Sequence, residues 1–412
     1  MPRVTPFKAI RPSKEIADKF CALPYDVYNR AEAKDIVNQN NLSFLAIDRA
    51  ETSFDDSVDT YAPEVYQKAK ELLENRINDG TLLQENDSCF YIYELTMDGR
   101  TQTGIVACSS VDDYVNSVIK KHENTREDKE IDRINHVDTT NAHTGPIFLV
   151  YRAEEELKKI VAEVKSDESK KLYDFVSDDG IGHRAFIINN EEMVSRIESI
   201  FDKIPCTYIA DGHHRCASAV KVGLKRRELN IKTEGSERFL SVLFPEDELY
   251  IMPYNRVVKD LNGRTKEEFF EEVKSAGFRI EESDKEVSPS EKGSFGMYID
   301  DKWYVLTACE KLVSDDPVKG LDVSILQDYL LNPILGIEDP RTDKRIDFVG
   351  GIRGLDELIR RCNKDMKVAF SMYPTSIDEL LDVADAGLLM PPKSTWFEPK
   401  LRSGMFIHSL ND

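Results

Sequence analysis

Eight consecutive residues, Ile209-Ala210-Asp211-Gly212-His213-His214-Arg215-Cys216, carry the densest chemistry in the chain. They follow an apolar, β-prone run (Cys206-Thr207-Tyr208-Ile209-Ala210) and lead into a helix-like stretch, Cys216-Ala217-Ser218-Ala219-Val220-Lys221-Val222. A strand that turns through Asp-Gly into a helix start exposes backbone N–H groups and the positive end of the helix dipole. That is an anion site, and phosphate is its usual occupant. Two imidazoles and a guanidinium from the same turn add donors that suit phosphate oxygens. Asp211 adds a hard oxygen ligand for a divalent cation such as Mg²⁺. The plainer reading is capping and packing at a common Asp-Gly turn. Five such residues together, in a chain with seven histidines, favour the phosphate site.

Other polar runs offer partners for that chemistry. In Lys121-His122-Glu123-Asn124-Thr125-Arg126, Glu123 can accept a hydroxyl proton, with His122 as its neighbour, or pair on the surface with Lys121 or Arg126. Arg126 and Arg133 lie close enough in sequence to reach a substrate carboxylate or phosphate. Asp138-Thr139-Thr140-Asn141 and His143 form a second polar run beside the Gly145-Pro146 break, and His136 and His143 suit a pocket lining. Lys393-Ser394-Thr395 supplies a cation and two hydroxyls for a phosphate or carboxylate. Its alternative is a Pro-anchored loop that packs Trp396 and Phe397. Asp26 reads as the cap of a helix beginning after Asn29.

These residues need elements to hold them. Val65, Ala69, Leu72, Leu73 and Ile77 keep helical spacing from Pro63 to Gly80. Cys89–Leu95 and Thr101–Ala107 flank Met97-Asp98-Gly99-Arg100 as a hairpin. Ile147–Tyr151 reads as a strand, and Asn190 caps a helix through Phe201. Further helices are expected over Asp322–Leu331 and Leu355–Cys362. With 412 residues, 41% hydrophobic and 32% charged, the composition is that of a folded globular protein of two or three domains. A net charge of −21 works against nucleic-acid binding, and the basic cluster Lys225-Arg226-Arg227 reads as a solvated helix face. No run has membrane-spanning length and no leader is evident. The seven scattered cysteines suggest neither a disulfide framework nor a zinc site, so a reduced, cytoplasmic setting is expected.

Five motifs in order carry a resemblance: Pro6-Phe7-Lys8-Ala9-Ile10-Arg11-Pro12, Leu23-Pro24-Tyr25-Asp26-Val27, His122-Glu123-Asn124-Thr125, Ala210-Asp211-Gly212-His213-His214-Arg215 and Pro391-Pro392-Lys393-Ser394-Thr395. Together they resemble the domain-of-unknown-function 1015 family. More locally, the His-Glu stretch followed by Asp-Gly-His-His-Arg resembles the ParB/sulfiredoxin superfamily, in the variant of archaeal free-serine kinases. That resemblance implies Glu123 as catalytic base and Asp211 as the carboxylate on the metal side. It implies Gly212, His213, His214 and Arg215 as phosphate binders, with His214 among the catalytic residues. Sulfiredoxins place Cys where His213 stands, and ParB proteins add basic DNA contacts that this acidic chain lacks.

The resemblance implies an α/β (α+β) fold in which a central ParB/sulfiredoxin-like unit is flanked by N- and C-terminal α+β segments. The expected boundaries are 1–110, 111–245 with an insertion at about 131–183, and 246–412, with the five motifs converging on one pocket. The expected activity is a nucleotide-dependent, Mg²⁺-assisted phosphotransfer from ATP or ADP to a small hydroxyl substrate, with free L-serine giving O-phosphoserine as the best guess. His122, Arg126, His143, Lys393, Ser394 and Thr395 are the substrate-binding candidates. Two alternatives stay open: a nucleotide-gated binding or regulatory protein without turnover, and a metal-dependent hydrolase using Asp211, His213 and His214. Nucleotide and small molecule are the expected partners, with neither nucleic acid nor membrane.

Overall fold

In the computed structural model, which describes residues 1–125 and 127–411, the chain folds as two compact units. The first comprises Met1–Lys121, Thr125–Leu249 and Pro399–Asp412, and the second His122–Asn124 and Tyr250–Glu398.

The first unit is organised by strands β1 (Val4–Thr5), β2 (Phe90–Met97), β3 (Arg100–Ser110), β4 (Ile119–Lys120), β5 (Ile147–Tyr151), β6 (Lys171–Val176), β7 (Gly182–Ile188), β8 (Thr207–Asp211) and β9 (Arg238–Pro245). Among the described residues these form one nine-stranded mixed sheet in the order β4-β8-β5-β9-β3-β2-β7-β6, with β1 also on β3. The pairs β8–β4 and β9–β5 are parallel and the rest antiparallel. The β2–β3 connection is the expected hairpin. Asp98 and Gly99 both take positive φ (51° and 77°), the two-residue turn whose twist matches the strands.

Segments 1–110 and 111–245 thus contribute to a single sheet. The stretch 131–183, expected as an insertion, holds most of the helix Glu127–Thr140, the central strand β5 and the edge strand β6. A fully buried strand such as β5, with all five residues inside, reads as apolar sequence without periodicity, so its central place was not visible.

On one face of the sheet, Phe90, Ile92, Ile105, Leu149 and Phe239 pack against Leu157 and Ile160 of the helix Glu155–Ser166 and Ile197 and Phe201 of the helix Glu191–Phe201. The latter starts as expected, with the Asn190 side chain accepting from Met193 N at 3.0 Å. A second cluster gathers Phe20, Phe44, Leu45, Leu73, Ala142 and Ile407. Leu73 belongs to the helix Pro63–Asn78, with Pro63 in its first turn. The helix Arg30–Gln39 is capped by Asn29 through a reciprocal box with Glu32, not by Asp26. Residues 401–410 are all buried, threading this unit as a strap. Ile407 bridges to Ile10, Ser403 to Ala22, and His408 pairs with His143.

The basic cluster is less solvated than expected. Arg226 is 7% exposed and reaches Asp138 at 3.2 Å, while Arg227 pairs with Asp112 and Glu237, both at 2.7 Å. Acidic residues remote in sequence give this face its partners.

The second unit has an antiparallel six-stranded sheet of β10 (Tyr254–Val258), β11 (Phe278–Ser283), β12 (Ser294–Ile299), β13 (Lys302–Ala308), β14 (Ile346–Gly350) and β15 (Val368–Ser371), in the order β11-β13-β12-β15-β10-β14. The expected helix at Asp322 runs as α-helix only to Leu326 and continues as a π-turn over Gln327–Leu331. The helix expected from Leu355 spans Asp356–Lys364.

Candidate functional site

Strand β8 pairs with β5 at Tyr208↔Val150 and Ile209↔Leu149, then skips so that Asp211 faces Phe148. Ala210 is the extra residue of a bulge, which bends a strand and re-aims the side chain that follows. Gly212 then takes φ 91° and ψ 31°, a left-handed conformation open mainly to glycine, and the helix His213–Glu228 begins at once. Its first bond is Cys216 N to Gly212 O at 2.9 Å. No Gly212 side chain caps it, so its first-turn N–H groups have no acceptor within the helix. The strand–glycine–helix geometry read from the sequence is present.

Charge gathers at this turn. The Asp211 carboxylate lies 3.4 Å from Lys400 Nζ and 3.7 Å from an Arg215 nitrogen. Burial pushes its carboxyl up, but Lys400, Arg215 and His213 outweigh that and hold it well below the usual carboxylate range. Arg215 donates from Nη1 to the Pro146 carbonyl at 2.5 Å and is 15% exposed at the side chain. The guanidinium is thereby fixed beside Gly212, where an added Cβ would sit 3.1 Å from it. His213 is buried and His214 half-buried. Glu130, on the facing helix Glu127–Thr140, is set against Lys221 and Thr125. Burial works against its charge, yet Lys221, Thr125 and His214 hold its carboxyl below the ordinary range.

Behind the turn lies a small chamber of about 30 Å³, walled by Tyr25, Asp48, Arg133, His136, His143 and Arg215 together with the apolar Val137, Ile147 and Leu240. Arg133, close enough in sequence to be weighed as a substrate contact, is 7% exposed. It pairs with Asp132 at 2.9 Å and stacks 3.8 Å over the Tyr25 ring. The Tyr66 hydroxyl donates to the other Asp132 oxygen at 3.0 Å. Burial pushes the Tyr25 phenol up to about 12. His136 Nε2 lies 3.2 Å from the Ile47 carbonyl, which sets it as the donor and leaves Nδ1 as an acceptor. Burial and the Arg133 charge push His136 below its usual value, and burial pushes His143 far below, so both rings are neutral at pH 7.

The other expected site residues fall in the second unit, apart from Arg126, which lies outside the described residues. The His122 carbonyl accepts from Met390 N at 2.8 Å, and Glu123 is half-buried. Lys393 takes a left-handed φ of 61° with its ammonium 5.6 Å from the Tyr254 ring, and its carbonyl accepts from the buried Arg256 at 3.0 Å. The Ser394 hydroxyl turns back to the Pro391 carbonyl at 2.6 Å, and its own carbonyl accepts from Thr375 at 2.9 Å. Thr395 is half-buried. Ser394 therefore serves the Pro-anchored loop, and Trp396 packs edge-on against Tyr254.

Lys400, Asp48, Glu130 and Ser403 were not singled out from the sequence. Lys400 is 189 residues from Asp211 along the chain, and only the fold brings the two together. Asp48 sits in an apolar helix with no motif around it.

Among the described residues, no three His, Cys, Asp or Glu side chains form a group that could hold a metal ion. Nor is any helix long and apolar enough to cross a membrane.

Fold and site define a mixed α/β protein that presents a strand–glycine–helix turn ringed by cationic and imidazole side chains. The family model described as protein of unknown function (DUF1015) matches residues 4–324, and the chain belongs to that family. No curated protein matches the sequence. Among solved structures, the chain is similar to a free serine kinase in complex with AMP, at 15% identity over 74% of this chain and 91% of that one (TM-score 0.35). It is similar to a conserved hypothetical protein from Pyrococcus furiosus, at 15% identity over 74% and 95% (TM-score 0.35). A third is SbnI with a C-terminal truncation from Staphylococcus aureus, at 11% identity over 74% and 87% (TM-score 0.39).

Proposed function

We propose that this protein is a nucleotide-dependent phosphotransferase acting on a small hydroxyl substrate, with free L-serine, giving O-phosphoserine, as the best acceptor. The observation that carries this reading is the Gly212 turn. A left-handed glycine delivers the chain from a bulged strand directly into a helix start, with His213, His214, Arg215 and Lys400 gathered at that end. Backbone N–H groups, two imidazoles, a guanidinium and an ammonium are the donors that nucleotide phosphates require. Phosphoryl transfer asks little else of a protein beyond positioning, charge neutralisation and a base.

In this reading the substrate hydroxyl oxygen bonds to the terminal phosphorus as the bridging P–O bond breaks, and the nucleotide leaves with that electron pair. Glu123 is assigned as the base that takes the hydroxyl proton. His213, His214 and Arg215 hold the phosphates. Mg²⁺, which commonly arrives with phosphates and one or two protein carboxylates, would have Asp211 as its protein ligand and would neutralise phosphate charge. A single carboxylate fits that mode of binding and does not fit an all-protein cage. Lys400 releases Asp211 when phosphate takes its place.

The test is direct. Purified protein with L-serine, Mg²⁺ and either ATP or ADP should yield phosphoserine, and no product across a panel of hydroxy amino acids with either donor overturns the substrate assignment. Glu123→Gln should lower turnover by about 10²–10⁴-fold while ADP affinity persists. If wild type binds ADP with no turnover and Glu123→Gln changes nothing, the protein is a nucleotide-gated binder instead.

A further inference from the structure

We propose that Arg402 is a positioning residue for the phosphate turn: clasped by the β6–β7 hairpin, it fixes the start of the C-terminal strap so that Lys400 stands at Asp211. The proposal rests on the phosphotransferase reading only in making Lys400 a phosphate contact, since the clasp itself needs no ligand.

The hairpin turn Ser177-Asp178-Asp179-Gly180 closes through Ser177 N to the Ile181 carbonyl at 2.9 Å and Gly180 N to the Ser177 carbonyl at 2.8 Å. It offers Arg402 a carboxylate and a hydroxyl. Arg402 Nη2 donates to the two Asp179 oxygens at 2.6 and 2.5 Å and to the Ser177 hydroxyl at 2.9 Å. Burial works against the Asp179 charge, yet Arg402 and Ser177 hold its carboxyl below the ordinary range. Arg402 Nε donates to His183 Nε2 at 3.3 Å, which leaves Nδ1–H to donate to the Tyr93 hydroxyl at 2.8 Å. The same hydroxyl meets the Arg402 backbone N–H. His183 is fully buried between the Phe175 and Tyr93 rings, at centroid distances of 5.0 and 5.9 Å. Guanidinium and backbone of one residue are thus both gripped, and the grip is set in an aromatic core.

Two observations carry the effect of this clasp to the turn. Strands β7 and β8 stand five places apart in the sheet, roughly 24 Å at about 4.8 Å per strand. Arg402 meets β7, while Lys400, two residues earlier, meets Asp211 at the end of β8 at 3.4 Å. Two residues of chain span at most about 7 Å, so the two side chains must reach apart across the sheet. A slip of the strap by one residue, about 3.5 Å, would take the Lys400 ammonium out of pairing range. The second observation is Ser403, whose N–H donates to the Ala22 carbonyl at 2.8 Å and whose carbonyl accepts from Ala22 N at 3.2 Å. Its hydroxyl lies 3.0 Å from where a Gly145 Cβ would sit, and Arg215 Nη1 lies 3.6 Å from the same point. The strap leaving the clasp therefore packs on the loop that holds Arg215. Both cations beside Asp211 depend on the register that Arg402 sets. Lysine cannot copy the fork that binds Asp179 and His183 together.

The test uses the full-length protein and Asp179→Asn, which alters a hairpin tip with a 41% exposed side chain and removes the charge that answers Arg402. Limiting acetic anhydride labels lysine amines according to their access, and mass spectrometry reads each site. Lys400, 17% exposed at the side chain, should be acetylated about tenfold faster in Asp179→Asn, while the surface Lys274 keeps its wild-type rate. In calorimetry with Mg²⁺, Asp179→Asn should weaken ADP by about three- to tenfold. In a Lys400→Met background the same substitution should change ADP affinity by less than about twofold, because the residue it acts through is gone. Arg402→Lys should follow Asp179→Asn in both readouts, and a cooperative thermal transition shows that each variant is folded. Unchanged labelling of Lys400 overturns the proposal. Equal weakening of ADP with and without Lys400 also overturns it, since Arg402 then acts on the fold at large. Faster labelling with wild-type ADP affinity confines the clasp to architecture and refutes the positioning role. If wild type takes up no ADP, the phosphotransferase reading fails, and the labelling alone decides whether the clasp places Lys400.

Discussion

Replacing Gly212 by alanine separates the two properties of the turn. A Cβ at Gly212 would lie 3.1 Å from Nε and Nη2 of Arg215 and 3.2 Å from Cζ, on a backbone at φ 91°. The left-handed conformation costs an L side chain roughly 1–2 kcal/mol. The contact adds a second effect, because optimal carbon separations are about 3.5–4.0 Å and the guanidinium must give way. That shift draws Arg215 off the Pro146 carbonyl, 2.5 Å away, and off its position beside the turn. Gly80 is the natural control: at φ 79° it would suffer the same backbone strain, but nothing lies within 4 Å of its Cβ. Both variants should therefore lose about 1–2 kcal/mol of stability, read by urea denaturation or as a melting temperature lower by about 2–4 °C per kcal/mol. Only Gly212→Ala should weaken ADP, by roughly tenfold in calorimetry, since a charge-assisted bond is worth about 1.5–3 kcal/mol and is here strained rather than removed. Wild-type ADP affinity in Gly212→Ala, with a stability loss equal to that of Gly80→Ala, would refute Arg215 as a phosphate contact and make the turn purely structural.

Other expectations follow from the same geometry. Lys400→Met should raise the Asp211 carboxyl toward its ordinary value; a depressed carboxyl contributes stability above the unfolded pKa that is lost as pH falls, so the variant should lose it at higher pH than wild type. Asp211 is half-buried and solvent-screened, so the difference should stay below about 1 kcal/mol in urea titrations from pH 6 to 3, and a larger fall in ADP affinity than in stability would mark Lys400 as a binding residue. Burial pushes His408 down to about 4 and, with the Arg402 charge, His183 down to about 3. Folded rings that refuse a proton the unfolded chain takes near pH 6.5 make stability fall on acidification through the window from about 6.5 to 4, by about 1.4 kcal/mol per pH unit for each fully shifted ring. Flat stability across that window would refute the burial argument. Removing residues 399–412 should abolish folding of the first unit: Leu401, Met405, Phe406, Ile407 and Leu410 are all within 3% of full burial. At about 1.5–3 kcal/mol each they contribute roughly 7–15 kcal/mol, as much as a whole domain's net stability. A truncated chain with a cooperative transition and native near-UV dichroism would contradict this.

Local pattern and long-range placement were unequally legible in the sequence. The hairpin at Asp98-Gly99, the helix from Pro63 and the cap at Asn190 are each decided within a few residues, and each stands where turn and capping chemistry put it. The Gly212 turn is of the same kind, because a glycine after an apolar strand and before a helix can be read without knowing the rest of the chain. The cap at Asp26 went astray by three residues, since Asn29 and Glu32 form the reciprocal box and a lone Asp does not. Sheet order, by contrast, depends on which apolar runs meet, and fully buried strands such as β5 carry no alternation to betray their neighbours.

The site's electrostatics lie beyond any motif for the same reason. Asp211 looks like a free carboxylate in sequence, and reading it as a metal ligand follows naturally. In the fold it is met by Lys400, the residue just before the C-terminal strap, beyond the stretch of 4–324 that the family model covers. The strap also places Ser403 at the chamber and lays His408 against His143, with ring centroids 5.6 Å apart. Lys400, just ahead of the strap and half-buried, thus holds Asp211 charged, while the strap itself walls the chamber and buries His143. Asp211 has two cationic neighbours, Lys400 at 3.4 Å and Arg215 at 3.7 Å. Two cations beside it outweigh the cost of partial burial, so the carboxylate stays ionised where a lone one at that depth would be pushed toward its neutral form.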